Sequence, residues 1–277
     1  MINKRMMKKC GIIFLLLAAA LYSCSPKGAG NSTTSSENST AAELQPAEMI
    51  EIRDTVPLDS YAPNSPATKI SIVLEPVTLD NSTATARAIN NISYALTGTE
   101  NNDLTEAAEK YRQKLVAEYE ELRADYINIR ANNEEPFWFN HEHMLNGRCE
   151  TGYKGYVNYI MDFFDYTGGA HPNSYKTVLT FDPGNGQETT LDNIMKENYE
   201  DTLLPLITQA LMKNFNVTTP EELDRYIFSH NELFVSKNVI LDKEKITFIY
   251  NRYEIAPYAA GEILIDIEYE NIKEIMK

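Results

Sequence analysis

The sequence predicts an α+β fold: antiparallel sheets with packed helices, as two small modules behind a disordered linker. Three observations predict it. Segments with apolar residues every three or four positions are interspersed with short β-branched runs. No regular strand–helix–strand rhythm joins them, which argues against a parallel α/β sheet. Before them lies a stretch from Ser25 to about Pro66, rich in Ser, Thr, Asn and Gly, with no apolar period and no means of building a core. The chain has 277 residues and 43% apolar residues, enough for a sizeable core elsewhere.

The first 23 residues read as a signal peptide. Lys4, Arg5, Lys8 and Lys9 precede an apolar run of 11 residues, GIIFLLLAAAL. A spanning helix needs about 20 residues, so this run is too short to cross a bilayer. Leu21-Tyr22-Ser23-Cys24 has the form of a lipobox, with Cys24 as the acylated residue and a bulky Tyr22 as its one departure. Residues 24–66 are then the lipidated cysteine and its linker. Removal of the signal's four basic residues takes the formal charge from −15 to −19. That sign excludes a typical nucleic-acid binder, and it makes an anionic membrane surface a poor partner, so the lipid must do the anchoring. Cys149 is the single thiol left unmodified, which excludes an intramolecular disulfide.

A strand is expected over residues 70–76 (ISIVLEP), and a helix over 84–96 from the spacing of Ala88, Ile92 and Ala95. Asp103-Leu104-Thr105-Glu106 reads as an N-cap. Behind it Leu104, Ala108, Tyr111, Leu115, Tyr119, Leu122 and Tyr126 predict one long amphipathic helix with its tyrosines in the core. From Pro136 the pattern becomes strands carrying Phe137, Phe139, Tyr153, Tyr156, Tyr159 and Phe163, with a turn at Asn146-Gly147. A strand over 175–181, a turn at 182–186, and helices near Thr190, over 202–215 and from Pro220 follow. Pro205 is expected in the first turn of its helix, where a missing N–H costs nothing. Strands over 233–235, 246–250 and 263–267 complete the second module. The modules are placed at 67–174 and 175–277.

Few residues carry a chemical signature. His141, His143, Cys149 and His171 form the most ligand-like set, but a two-residue His spacing also suits ordinary strand histidines, and no metal or other cofactor is assigned. Cys149 beside Glu150 has its thiolate disfavoured by the neighbouring charge. No nucleophile elbow or zinc-protease motif is present. Two stretches stand out. Tyr166-Thr167-Gly168-Gly169-Ala170-His171-Pro172-Asn173 ends a strand in paired glycines, which suggest a positive φ or a close backbone approach. The other, YNRYEIAPYAAG from Tyr250, holds Tyr253, Glu254, Pro257 and Tyr258 between two strands. It is either a packed Ω-loop or an exposed recognition edge.

These stretches, with TFDPGNGQETTLDNI between them, resemble the extracellular region of RsiV anti-sigma factors and the N-terminal modules of PdaC-type peptidoglycan deacetylases. The resemblance covers about residues 67–277. It implies the two-module fold and a sensor-like or binding role, because that region of RsiV is a lysozyme receptor. The spanning helix and cytoplasmic segment of RsiV have no counterpart here, and neither does the deacetylase domain. The expectation is therefore a lipid-anchored, non-catalytic envelope module on the periplasmic side. Its partners would be the membrane through the lipid, and a basic protein such as lysozyme or a cell-wall glycan. Tyr166, Gly168, Gly169, His171, Tyr253, Glu254, Pro257 and Tyr258 are the candidate binding residues. The rival expectation is a cell-wall hydrolase using Glu254 with His171 or Asp165.

Overall fold

The computed structural model describes residues 48–132 and 137–277. The signal segment, Cys24 and most of the linker lie outside the described residues. The fold is α+β, with a five-stranded and a three-stranded sheet. Both sheets fall within one compact unit, Pro46–Lys277.

The five-stranded sheet has the order β1-β2-β3-β4-β5, with β1 at Ile50–Pro57, β2 at Ala67–Leu74, β3 at His141–Thr151, β4 at Val157–Tyr166 and β5 at Asn173–Phe181. β1 corrects the sequence reading, which gave residues 50–66 to the linker. Ile50, Ile52 and Val56 alternate with polar residues, the period of a half-buried strand. They pair antiparallel with β2, from Ile50↔Leu74 to Pro57↔Ala67. The run is short and its inward position 54 is an aspartate, which hid the period. Asp54 is tolerated there because Arg112 meets its carboxylate at 2.7 Å.

β2 and β3 are parallel, a second departure from the all-antiparallel expectation. A parallel pair needs a long crossover, supplied here by α1 (Ser82–Thr97), α2 (Leu104–Glu120) and α3 (Arg123–Ala131). Asp103 caps α2 by accepting the N–H groups of Thr105 and Glu106. The predicted long helix breaks at residues 121–122, where the Leu122 N–H bonds back only three residues, to Tyr119 O. The break sends Tyr126 to a small core with Leu58, Tyr119 and Phe139, while Tyr111 packs in the main core with Ile72, Leu145 and Phe163.

Three further local readings change. Phe137–Phe139 is a 3-10 turn, not a strand. Asn146-Gly147 lies inside β3, because a Cβ at Gly147 would sit 2.7 Å from the Tyr159 hydroxyl. The chain reverses instead at Tyr153–Gly155, where Lys154 and Gly155 take positive φ. The predicted module boundary at 174/175 falls inside β5.

The three-stranded sheet holds β6 (Val239–Leu241), β7 (Lys245–Tyr250) and β8 (Ile263–Glu268), all antiparallel. It shares a core with α4 (Leu191–Ile194) and α5 (Tyr199–Phe215). α5 begins earlier than expected, so Pro205 is its seventh residue rather than in its first turn. Pro205 is exposed, which leaves the carbonyl it cannot serve open to water. The helix expected from Pro220 is a 3-10 segment, Pro220–Arg225. Residues 233–235 form no strand, though Leu233 and Val235 are buried.

Asparagine amides join the sheets. Asn158 of β4 is fully buried. Its Nδ2 donates to Leu241 O at 3.0 Å and to Glu150 O at 3.3 Å. Its Oδ1 accepts the Leu241 N–H and the Thr180 hydroxyl, each at 3.0 Å. Along the outer edge of β5, Asn238 accepts the Val178 N–H and donates to Lys176 O. Asn251 accepts the Lys176 N–H at 2.7 Å and donates to the same carbonyl.

Candidate functional site

The two unusual stretches of sequence meet in space. Residues 167–172 join β4 to β5, and residues 251–262 join β7 to β8. Gly168 sets the first loop. Its φ is +79°, and a Cβ there would lie 1.7 Å from the carbonyl oxygen of Trp138. Both expectations for the glycine pair are therefore met at this one residue. Gly169 has neither a positive φ nor a neighbour within 4 Å.

The second loop starts from Asn251, already fixed to β5. Arg252 donates to Ser174 O at 3.2 Å and holds its guanidinium 5.1 Å from the Tyr258 ring centroid. Tyr258 donates its hydroxyl to Pro172 O at 2.8 Å. Its ring stacks on His171 with centroids 3.8 Å apart. Tyr253 lies 5.9 Å from Tyr258, with its hydroxyl 3.4 Å from His171 Nε2. Ile255 and Ala256 point inward and are buried, while Tyr253 is 54% exposed and Pro257 is also exposed. The loop is thus both of the things the sequence left open: a packed base carrying an exposed aromatic rim.

Tyr253 carries strain, with a φ of 69° that a residue with a bulky side chain rarely adopts. A backbone held there costs about 1–3 kcal/mol and persists where its surroundings dictate it. Here Asn251 and Glu254 dictate it. Glu254 Oε2 accepts the Asn251 N–H at 3.0 Å, and the Glu254 N–H returns to Asn251 O at 3.1 Å.

Of the eight predicted site residues, His171, Tyr253 and Tyr258 form the cluster and Gly168 positions it. Glu254 closes the loop turn. Tyr166 sits at the end of β4 opposite Glu142 and makes none of the cluster's aromatic contacts. The residues offered for hydrolysis are each engaged elsewhere: Glu254 with Asn251, His171 with Tyr258, and Asp165 with His143 Nδ1 at 2.6 Å. The ligand-like set also disperses. His141 packs edge-on to Tyr119, and burial beside His143 lowers its pKa. The Cys149 thiol is pushed up to about 12, first by burial and then by Glu75; the expected influence of Glu150 is not among the causes. Among the described residues no three His, Cys, Asp or Glu side chains are placed to hold a metal ion.

Sequence reasoning missed Arg252 and Asn251 as site-building residues. Both lie inside the second stretch, but their partners are backbone carbonyls and an N–H of β5, and a backbone partner leaves no mark in sequence.

The profile of a family described as "Protein of unknown function (DUF3298)" matches residues 192–270. A crystal structure of a DUF3298-family member from Bacteroides fragilis is similar, with 28% identity and a TM-score of 0.75, over 83% of this chain and 92% of that one. A DUF3298-family protein from Pseudomonas aeruginosa shares the fold with 16% identity and a TM-score of 0.53, over 84% of this chain and 95% of that one. Comparison with curated proteins finds no match.

Proposed function

We propose that this chain is a non-catalytic recognition module of the bacterial cell envelope, anchored by an acylated Cys24 on the periplasmic side. It binds a cell-wall-associated protein or glycan at the His171–Tyr253–Tyr258 rim. One observation carries the reading: side chains 82 residues apart in sequence, His171 and Tyr253, are brought together and held at the surface on a strained backbone. Tyrosine supplies large contact area at low entropic cost, which suits such a rim to binding. The separate engagements of Glu254, His171 and Asp165 favour binding over hydrolysis. The resemblance to the RsiV receptor region supports the same choice.

The formal charge of −19 left once the signal is removed favours a cationic partner by long-range attraction, and lysozyme is the partner to try. Saturable binding is expected. Tyr253→Ala should weaken it about tenfold or more by speeding dissociation, with no change in melting temperature, because the ring is exposed. Raising salt to about 0.5 M should slow association of both proteins alike. Tyr258 is the poorer probe, since its hydroxyl and ring also tie the two loops together. Equal binding by a charge-matched acidic control, or no effect of Tyr253→Ala, would sink the reading.

The anchor has its own test. Cys24→Ser should move the protein from the membrane fraction to the soluble fraction, because one missing lipid removes the only stable attachment. Recovery of the variant in membranes after a high-salt wash would count against it.

A further inference from the structure

On the helix side of the five-stranded sheet, between α2 and the β3–β5 end, lies a cavity of about 420 Å³ that none of the preceding uses. It is within the range of small-ligand sites, about 300–1,000 Å³. We propose that this cavity binds a neutral saccharide unit, a polyhydroxylated ring without formal charge.

The hydrogen-bonding groups decide the class. His143 Nδ1 and Asp165 Oδ1 pair at 2.6 Å at the cavity wall, leaving His143 Nε2 and the second Asp165 oxygen. Among the described residues nothing pairs with those two atoms, nor with the hydroxyls of Tyr111 and Tyr175 in the same wall. Tyr111 is only 8% exposed, and its unpartnered hydroxyl stays accessible where the residue lines the cavity. Burial and the Asp165 charge raise both phenol pKa values, that of Tyr175 to about 12, so both stay protonated donors at neutral pH.

The cavity therefore offers phenol donors together with a carboxylate acceptor. An ammonium group can only donate, and a carboxylate or phosphate can only accept. A hydroxyl does both. An anion would in addition meet the Asp165 carboxylate, while the Lys114–Glu118 pair at 4.0 Å sets one charge against the other and adds no net attraction. The apolar side of the ring has its own surface. Phe163 and Tyr175 stack with centroids 4.5 Å apart and planes 7° apart, and Tyr111 meets Phe163 edge-on.

This site is separate from the aromatic rim, although Thr167, which lines the cavity, opens the loop that carries His171. The test is saturation-transfer NMR on the full chain with N-acetylglucosamine, glucosamine and glucuronate as probes. N-acetylglucosamine should bind saturably with a dissociation constant of about 1 mM, the order set by its size. Glucuronate should bind about tenfold more weakly or not at all, because the Asp165 carboxylate repels it. Glucosamine, whose ammonium can satisfy that carboxylate but no phenol donor, should bind no more tightly than N-acetylglucosamine. Tyr111→Phe and Tyr175→Phe should each lose about tenfold in affinity at unchanged melting temperature, since no protein group loses a bond. Tyr253→Ala should leave saccharide binding intact, which separates this result from that for the rim. The proposal is overturned by no saturation at about 50 mM N-acetylglucosamine, by tighter binding of either charged sugar, or by wild-type affinity in both tyrosine variants.

Discussion

Asn158→Leu should destabilise the folded chain by about 3–5 kcal/mol. A leucine keeps asparagine's branching but makes no hydrogen bond, so it strands the N–H and carbonyl of Leu241, the Glu150 carbonyl and the Thr180 hydroxyl. Each buried group left unpaired costs about 1–3 kcal/mol, and the carbonyls can recover part of that from water. For a unit of this size a loss of that order lowers the melting temperature by about 10 °C. Thr180→Val removes a single bond of the four and should cost about 1 kcal/mol. Calorimetry on the two variants checks the ratio. Hydrogen exchange checks the location, because the Leu241 amide should lose protection ahead of the β7 amides. A melting temperature for Asn158→Leu within about 2 °C of wild type would remove the claim that this amide fastens β6 to β4.

Gly168→Ala should cost about 2–4 kcal/mol, while Gly169→Ala next to it should fall within about 0.5 kcal/mol of wild type. The contrast comes from geometry. Alanine at 168 pays a left-handed penalty at φ +79° and drives its methyl into the Trp138 carbonyl, whereas alanine at 169 enters open space. Relief requires residues 167–172 to move, which takes His171 off the Tyr258 ring. Gly168→Ala should therefore lose ligand binding at the rim along with stability. Thermal melts of the two variants, with the His171 ring resonances followed by NMR, test this. Coincident melts would show that the close approach does not constrain the loop.

Much of this fold was readable in the sequence, for identifiable reasons. α1, the capped start of α2, and β5, β7 and β8 carry strong periods or caps, and each appears where those signals placed it. The failures arise where a distant partner decided the outcome. β1 pairs along its full length with β2, and its inward aspartate makes sense only once Arg112 of α2 is seen beside it. Asn146-Gly147 has the composition of a turn, but the Tyr159 ring needed the missing side chain, and the strand ran on. The site divides in the same way. The glycine pair and the tyrosine-rich loop were conspicuous as sequences. Their meeting was not, because it depends on amides and a guanidinium gripping the backbone of β5. The His143–Asp165 pair follows from the β3–β4 register, which places the two residues opposite each other, and no local pattern encodes a register.

The asparagines along β5 have a consequence for self-association. A strand at the margin of a sheet displays N–H and C=O groups that can template a strand from another molecule. On β5 the outward groups of Lys176 and the Val178 N–H are already taken by Asn238 and Asn251. Among the described residues the sheet's other margin is β1, with no strand beyond it, and it carries Glu51, Arg53 and Asp54. Growth of this sheet into a fibre needs two margins per molecule, one to receive and one to extend. With a single one on this sheet, native chains that met through β1 alone would close as a two-fold pair.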